Sequence, residues 1–393
     1  MNNKKINFSK VFFVFLLLAY FVLTWGLYHN QLLTDVTGLF ESDTAVHVKF
    51  AVEDRFFYSL SSYVYFILDL LPGTEYTISL LLALMTVGSI LLTFVLFEKI
   101  SEKLELKVPD TVKYTIAFLA NFVMAFYVKK ANQRHYIGYQ SANMWHNSTY
   151  IFMRFFALLT IIVFLNIFEK YREGMTLKEW FMFTFLLTIT TAFKASFLTV
   201  FAPTLAIMLL FDFLGKKTSF LNACKLGSAV FLPIAVLFLE NAALSGIEGE
   251  TGYAIKPFAA LAQRGDHPKV TLVLSVLFPL MVAFYHIKDF WKEKLYFGSL
   301  IMWAVGFLEV FLFIETGERA LDGNFMWGYS ISLFFLFFMS MMMLARDMQK
   351  IFSAKGAILR KIVLSGITAV LLWHFISGVV YFAMLLSGVT YFV

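Results

Sequence analysis

The chain has 393 residues, of which 60% are hydrophobic and 15% are charged, and its mean hydropathy is +0.75. Soluble globular domains carry far more charge than this, so the composition excludes that class and predicts a membrane protein with many spans. The single cysteine, Cys224, excludes an intramolecular disulfide. The net charge of +6 fits contact with anionic membrane lipid, and we expect no nucleic-acid partner.

Apolar segments predict an all-α polytopic membrane bundle of about eleven transmembrane helices. The first two spans are predicted at about residues 11–27 and 76–97. Nine more follow at about residues 114–128, 150–168, 180–193, 196–213, 226–239, 270–285, 296–314, 329–344 and 362–386. The sequence contains no internal repeat and no separate soluble domain.

The loop between the first two spans is unusually long for this chain. It contains a second apolar run at residues 58–71, which ends at Pro72-Gly73. The run is too short to cross a bilayer, so it predicts an interfacial or re-entrant helix. We therefore expect interfacial helices in the first extracytoplasmic loop.

The distribution of basic residues sets the orientation. With the N-terminus in the cytoplasm, the cytoplasmic segments hold 21 of the 32 Lys and Arg residues. The C-terminus and five of the seven histidines then lie outside. Lysine outnumbers arginine 24 to 8, which indicates a bacterial chain, so we expect the bacterial plasma membrane.

The first outer loop carries an acidic pair with a histidine four residues further on: Glu41, Asp43 and His47. If a helix begins at Thr44, Asp43 and His47 share one helical face. Asp43 can act as a general base, with His47 orienting it or contacting the acceptor and Glu41 positioning the acceptor or a cation. The alternative is that Asp43 only caps an interfacial helix. The three side chains also suit Mg²⁺ or Mn²⁺, and the sequence leaves metal dependence open.

Two basic residues fall near the outer ends of predicted spans, at the level of Asp43. Arg154 lies in the fourth span, and Lys194 interrupts the apolar run 180–215 where a tight helical hairpin must turn. Arginine holds phosphate oxygens with two hydrogen bonds and lysine acts as a point charge, so the pair predicts a site for a lipid-linked phosphate. Lys194 has an alternative as a loop lysine that reaches the lipid headgroups.

Other outer segments supply candidate substrate-binding residues. Trp145, His146 and Asn147 precede the fourth span and suit a sugar pocket, since Trp stacks on sugar faces and His and Asn form hydrogen bonds. The alternative is an aromatic belt with an N-cap for the following helix. Arg264 and Arg319 lie in two later outer loops, where binding residues tend to concentrate.

These residues resemble the GT-C superfamily of integral-membrane glycosyltransferases, whose members carry an Asp-x-Asp or Glu-x-Asp motif in the first outer loop. Here that motif is Glu41-Ser42-Asp43, and the run 191–196 with Pro203 after it is similar to the lysine segment of several such families. The resemblance covers residues 1–241, the shared transmembrane module, and leaves 242–393 as the variable one.

The resemblance implies a sugar donor linked to polyprenyl phosphate or diphosphate, an extracytoplasmic acceptor, and the loop acid as catalytic base. The acceptor is expected to be a cell-envelope glycan, a lipid or a protein. The chain differs from oligosaccharyltransferase relatives in lacking a C-terminal soluble domain. Two alternatives stay open, a cell-envelope polysaccharide polymerase and a transporter or flippase of lipid-linked glycans.

Single cysteines labelled in intact cells with an impermeant thiol reagent, in a Cys224→Ser background, test the topology. We expect labelling at positions that the charge distribution places outside and protection at those it places inside. The outer set is Asp43, His146 and Arg319, and the inner set is Lys107, Lys216 and Lys355. Labelling at position 107 would contradict the orientation.

Overall fold

The computed structural model describes residues 7–40, 42–128, 130, 141–142, 145–245, 252–263, 267–320, 322–352 and 358–389. Helices account for most of them. The helices are α1 (Phe8–Leu32), α2 (Thr34–Thr37), α3 (Asp43–Val52), α4 (Leu60–Asp69), α5 (Thr74–Lys103), α6 (Asp110–Leu119), α7 (Ser148–Ile167), α8 (Leu177–Phe193), α9 (Ser196–Leu214), α10 (Phe220–Gly227), α11 (Phe231–Ser245), α12 (Ala259–Ala262), α13 (Pro268–Ser275), α14 (Leu277–Tyr285), α15 (Lys294–Leu312), α16 (Phe325–Phe352) and α17 (Ile358–Leu386).

Within these residues, eight helical segments are long and apolar enough to cross a membrane, with α10 and α11 counted together as one segment. The bent pair α13–α14 makes a ninth. The chain is therefore an integral membrane bundle of helices, as predicted. The predicted number of eleven spans is not confirmed. The helix α8 has 17 residues and α6 has 10, so both are shorter than a typical span.

The predicted span at 114–128 is wrong in its second half. Helix α6 ends at Leu119, and residues 120–128 form an irregular segment packed between α17 and the α13–α14 pair. Two of its amides bond to the flanking elements: Met124 N–H donates to the His374 carbonyl (3.2 Å) and Phe126 N–H to the Leu274 carbonyl (3.0 Å). Irregular backbone is tolerated at membrane depth only when protein satisfies its polar groups, and hydropathy does not reveal such a break.

The predicted span at 270–285 is broken as well. Helices α13 and α14 meet at an angle of 58°. The break frees Phe278 N–H, which donates to His374 Nε2 (3.3 Å), while His374 Nδ1 pairs with the Met124 carbonyl (2.6 Å). His374 is therefore neutral with its proton on Nδ1, and it joins α17, α14 and the irregular segment.

The centre of the bundle is α16, which is buried through its apolar length and packs against α9, α14, α15 and α17. Its approach to α15 is close, since a Cβ added to Gly306 would lie 2.6 Å from Ser332 Oγ. Two short strands that the sequence did not predict, β1 (Gly252–Ile255) and β2 (Phe313–Thr316), pair antiparallel beside it. The proposed module boundary at residue 241 lies inside α11 and stays a prediction.

Segments that the charge distribution places on the cytoplasmic side do contact one another. Ion pairs join Lys103 to Glu169 (2.7 Å), Arg172 to Asp212 (2.5 Å) and Arg346 to Glu293 (2.5 Å). The first outer loop, with α2, α3 and α4, lies between the N-terminal end of α5 and the C-terminal end of α1, as the predicted loop helices require. The grouping of loops into two ends therefore agrees with the charge pattern, whereas the side of the membrane stays a prediction.

Replacing His374 should destabilise the bundle. His374→Ala leaves the Phe278 amide and the Met124 carbonyl buried and unpaired, at a cost of about 1–3 kcal/mol each. Thermal unfolding of the purified chain in detergent measures the loss. Ile376→Ala is the control on the same helix, because the Ile376 side chain is 52% exposed. Equal destabilisation by both variants would contradict the role of His374.

Candidate functional site

A cavity of about 1460 Å³ opens at the end of the bundle that carries α3. Its walls come from α3, the first turn of α7, the α8–α9 turn, α9, α11, α15, the β1–β2 pair and the start of α16. One region of the wall is polar and charged, and another is apolar.

Asp43 enters the polar region because Ser42 begins the helix. Ser42 Oγ accepts a hydrogen bond from Thr44 N–H (3.2 Å), so Ser42 is the N-cap of α3 and Asp43 is its first residue. Asp43 N–H donates to the His146 carbonyl (3.1 Å), which fixes the helix start against the α7 side of the cavity. The alternative that Asp43 is a cap is therefore wrong, and its carboxylate is left to other partners.

The partner of that carboxylate is Asn147. Asn147 Nδ2 donates to Asp43 Oδ2 (2.7 Å), and Asn147 Oδ1 caps α7 by accepting from Tyr150 N–H (2.9 Å). The same Oδ1 accepts from Thr149 Oγ1 (2.8 Å), which in turn accepts from Lys194 Nζ (3.2 Å). A single line of hydrogen bonds thus links the Asp43 carboxylate to the Lys194 ammonium through Asn147 and Thr149.

Lys194 is held in the cavity by the turn between α8 and α9. It follows the last residue of α8 in an extended conformation, two residues before α9 begins. Its ammonium lies 5.1 Å from the centre of the Trp327 ring, a cation–π contact. Burial lowers the pKa of Lys194 to about 8, and the negative charge of Asp43 opposes that shift. Lys194 is therefore mostly charged at neutral pH.

His47 lies one helical turn after Asp43 and also lines the cavity. Its Nδ1 forms a hydrogen bond of 2.5 Å with the hydroxyl of Tyr58, and its Nε2 is buried without a hydrogen-bond partner among the described residues. Burial lowers the pKa of His47 to about 4, against a smaller opposite effect of Asp43. The imidazole is thus neutral at neutral pH.

The opposite wall carries a second polar group from β2 and the loop after it. Arg319 contacts Glu315 (3.6 Å) and Asp322 (3.1 Å), and Asn324 N–H donates to Glu315 Oε2 (3.0 Å). These residues also line the cavity. The cavity therefore has charged side chains on both walls of its polar region.

The apolar region is a groove between α11 and α15 with α9 beside it. Leu237 and Phe238 come from α11, Val305 and Leu308 from α15, and Pro203 from α9. Phe238 is 68% and Leu308 50% exposed, so the rim of the groove lies on the outer surface of the bundle. An amphipathic molecule can therefore place an apolar chain in the groove and a polar head between Asp43, Lys194 and Arg319.

The structure brings together five of the predicted site residues around the cavity: Asp43, His47, Asn147, Lys194 and Arg319. Glu41 and Arg264 lie outside the described residues.

His146, Trp145 and Arg154 do not line the cavity. The ring of His146 packs behind the cavity wall, 5.3 Å from Trp327, and Trp145 Nε1 donates to the Tyr20 hydroxyl (2.6 Å) inside the bundle.

The predicted contact of Arg154 with a phosphate is not available in this structure. Its guanidinium is fully buried, donates to the Ala142 carbonyl (2.5 Å) and to Asn121 Oδ1 (2.7 Å), and lies over the Phe334 ring at 3.9 Å. Arg154 held by these contacts supports the irregular segment through Asn121 and does not line the cavity. Sequence position near the outer end of a span did not distinguish an arginine that binds phosphate from one that supports the irregular segment.

Sequence reasoning missed several cavity residues. Glu240 and Glu309 stand out in the sequence as ionisable residues within apolar spans, which mark function, yet no partner or loop motif assigned them to this site. Trp327, Thr149 and Tyr58 gave no signal that separates them from interfacial aromatic residues or helix caps. Only the folding of α3, α7 and α16 onto one cavity identifies them.

Among the described residues, no group of three or more His, Cys, Asp or Glu side chains is arranged to hold a metal ion. Glu41, which the predicted cation site would need, is not among them. Binding of Mg²⁺ or Mn²⁺ therefore stays a prediction.

Comparison with known proteins gives no family assignment. No protein-family model matches the chain, and no curated protein matches it significantly.

Acidification should destabilise the fold through two buried histidines. Burial lowers the pKa of both His47 and His146 from 6.5 to about 4. The unfolded chain then binds more protons between pH 6.5 and 4, so the free energy of unfolding falls as pH drops through this window. Thermal unfolding of the purified chain at a series of pH values measures the effect.

In the double variant His47→Gln/His146→Gln, the free energy of unfolding should fall less as the pH drops through the same window. His267→Gln is the control, because His267 is exposed. An unchanged pH dependence in the double variant would contradict the assignment.

Proposed function

We propose that the chain is a membrane glycosyltransferase that moves a sugar from a polyprenyl phosphate or diphosphate donor to an acceptor outside the cytoplasm. The observation that carries this proposal is a cavity in which a linked carboxylate and ammonium lie beside an apolar groove. A lipid-linked sugar has the matching parts, namely an isoprenoid chain, a phosphate and a glycosyl head.

In the proposed reaction, Asp43 takes the proton from the acceptor hydroxyl as that oxygen attacks the anomeric carbon of the sugar. The bond between the anomeric carbon and the phosphate oxygen breaks, and the electron pair leaves with the phosphate. Lys194 stabilises the growing negative charge, and Arg319 can contact the same group from the opposite wall. His47, neutral and with Nε2 unpaired, is suited to contact the acceptor.

The line of side chains between Asp43 and Lys194 supports these separate roles. A carboxylate next to an ammonium would be neutralised by it, but here Asn147 and Thr149 lie between the two. The hydrogen bonds orient the Asp43 carboxylate by one oxygen, Oδ2, and leave Oδ1 for a proton from the acceptor. Asp43 and Lys194 therefore lie at two ends of one rigid arrangement, where a base and a phosphate contact are needed.

A transporter or flippase for lipid-linked glycans is the second candidate, and the broken pair α13–α14 with the irregular segment 120–128 favours it. Transporters place discontinuous helices around a substrate site near the membrane midplane. Here neither element lines the cavity, and the freed backbone groups described above bond to protein. The glycosyltransferase proposal explains the cavity residues, which the transporter reading does not.

Reconstituted vesicles separate these candidates. A glycosyltransferase converts a polyprenyl-phosphate-linked sugar and an acceptor to product, whereas a flippase moves the donor across the bilayer without product. A polysaccharide polymerase, the third reading, would yield a ladder of repeating units from a diphosphate-linked oligosaccharide. Donor movement without any product would contradict the proposal.

Two substitutions should separate catalysis from donor binding. Asp43→Asn keeps an oxygen that can accept from Asn147, but an amide cannot take a proton, so transfer should slow by about 100-fold or more with donor binding unchanged. Lys194→Met keeps the packing on Trp327 and removes the charge, so the donor should bind about tenfold more weakly or worse. Single-turnover transfer and native mass spectrometry of the lipid complex measure the two effects.

The matched controls are Asp54→Asn and Lys49→Met, because both side chains are exposed on or next to α3 and lie outside the cavity. Both controls should leave transfer and binding as in the unsubstituted chain. Near-native transfer by Asp43→Asn at unchanged thermal stability would show that another group is the base.

A further inference from the structure

The described lining of the cavity carries more negative than positive charge. It contains five carboxylates and two cations, Lys194 and Arg319. Arg319 pairs with Glu315 and Asp322, and the charge of Asp43 acts on Lys194. The two remaining carboxylates, Glu240 and Glu309, form no ion pair in the described part of the chain. A cavity built only for an anionic phosphate would not need them.

Glu309 is the more enclosed of the two, in the last turn of α15 where α9 and α16 meet it. Its Oε2 is buried and has no hydrogen-bond partner among the described residues. Gly328 makes room for this carboxylate, since a Cβ added there would lie 2.6 Å from Glu309 Oε2 and 3.2 Å from the Ser196 carbonyl oxygen. The Thr199 hydroxyl lies within hydrogen-bonding reach of both the Ser196 carbonyl (3.1 Å) and the Glu309 side chain.

Three kinds of oxygen therefore lie at the Glu309 end of the cavity: a carboxyl group, a backbone carbonyl and the Thr199 hydroxyl, whose one proton can go to either of the other two. All of them can accept hydrogen bonds, and no described side chain supplies a positive charge to them. Burial disfavours the charged form of Glu309 unless a cation reaches it, and ionisable residues at such depth mark functional sites.

We propose that this place is a subsite for a protonated primary amine carried by a substrate, with Glu309 as the group that recognises its charge. The inference rests on the proposed function, because the amine is taken to belong to the donor or the acceptor of the transfer. It could be carried by an amino sugar or by a lipid headgroup. An ammonium group has three N–H donors and no acceptor, which is the complement of the oxygens around Glu309. Glu240 lines the same cavity.

Two other ligands fit these oxygens less well. A sugar hydroxyl donates one hydrogen bond and brings no charge, so it would leave the carboxylate unneutralised. A divalent cation prefers several carboxylates around it, and the described residues include no group of three metal-binding side chains. The observations therefore favour an amine.

Direct binding of small probes to the purified full chain in phosphatidylglycerol nanodiscs tests the subsite without any transfer reaction. Glucosamine is compared with N-acetylglucosamine, and O-phosphoethanolamine with its N-acetyl derivative, by ligand-observed NMR at pH 7. We expect one of the amines to bind at least about tenfold more tightly than its acetylated partner. The pair that shows the preference identifies the source of the amine as a sugar or a lipid headgroup.

Glu309→Gln should abolish that preference, because glutamine keeps the hydrogen-bonding shape and loses the charge. Glu53→Gln is the matched control, since Glu53 is exposed and lies outside the cavity, and it should keep the preference.

Equal binding of amine and acetylated probes by the unsubstituted chain would overturn the proposal, whether or not the variant folds. A preference that persists in Glu309→Gln would overturn it as well. Amine preference without sugar transfer would mean that the glycosyltransferase proposal fails and the subsite holds. Sugar transfer without amine preference would mean that the subsite proposal fails and the glycosyltransferase proposal holds.

Discussion

The need to satisfy every backbone polar group away from water is the constraint on which the rest of this structure depends. The irregular segment 120–128 meets it through α17, through the broken α13–α14 pair and through buried side chains. Arg154 takes part by bonding to Asn121 and to the carbonyl of Ala142, just ahead of α7. The start of α7 carries Asn147, which orients Asp43, so a buried arginine far from the cavity lining supports the polar region indirectly.

The site itself depends on helix caps as much as on charges. Ser42 caps α3 and Asn147 caps α7, and each cap sets the position of a side chain with another task. Because Asn147 has both an acceptor and a donor, it can close a helix and hold a carboxylate at once. The polar region is thus assembled from ordinary helix starts brought together by packing, and no loop insertion or metal cluster among the described residues is required.

Much of the bundle could be predicted from hydropathy, because long apolar runs such as those of α1, α5 and α17 have few alternatives in a membrane. The breaks at Leu119 and at Ser275 could not be, since the residues around them are as apolar as a span and the partners that stabilise them come from distant sequence. The site shows the same division. Motif and position identified Asp43 and Lys194, whereas the parts played by Arg154 and Glu309 depend on which helix packs beside them.

The two-residue connection between α8 and α9 also affects the entropy of binding at Lys194. A free lysine side chain loses up to about 2 kcal/mol of rotamer freedom when it is immobilised. Here the backbone on both sides is helical, and the ammonium already contacts the Trp327 ring and is bonded to Thr149. Most of that loss has occurred on folding, so an anion arriving in the cavity meets a preorganised charge and retains more of its own interaction energy as affinity.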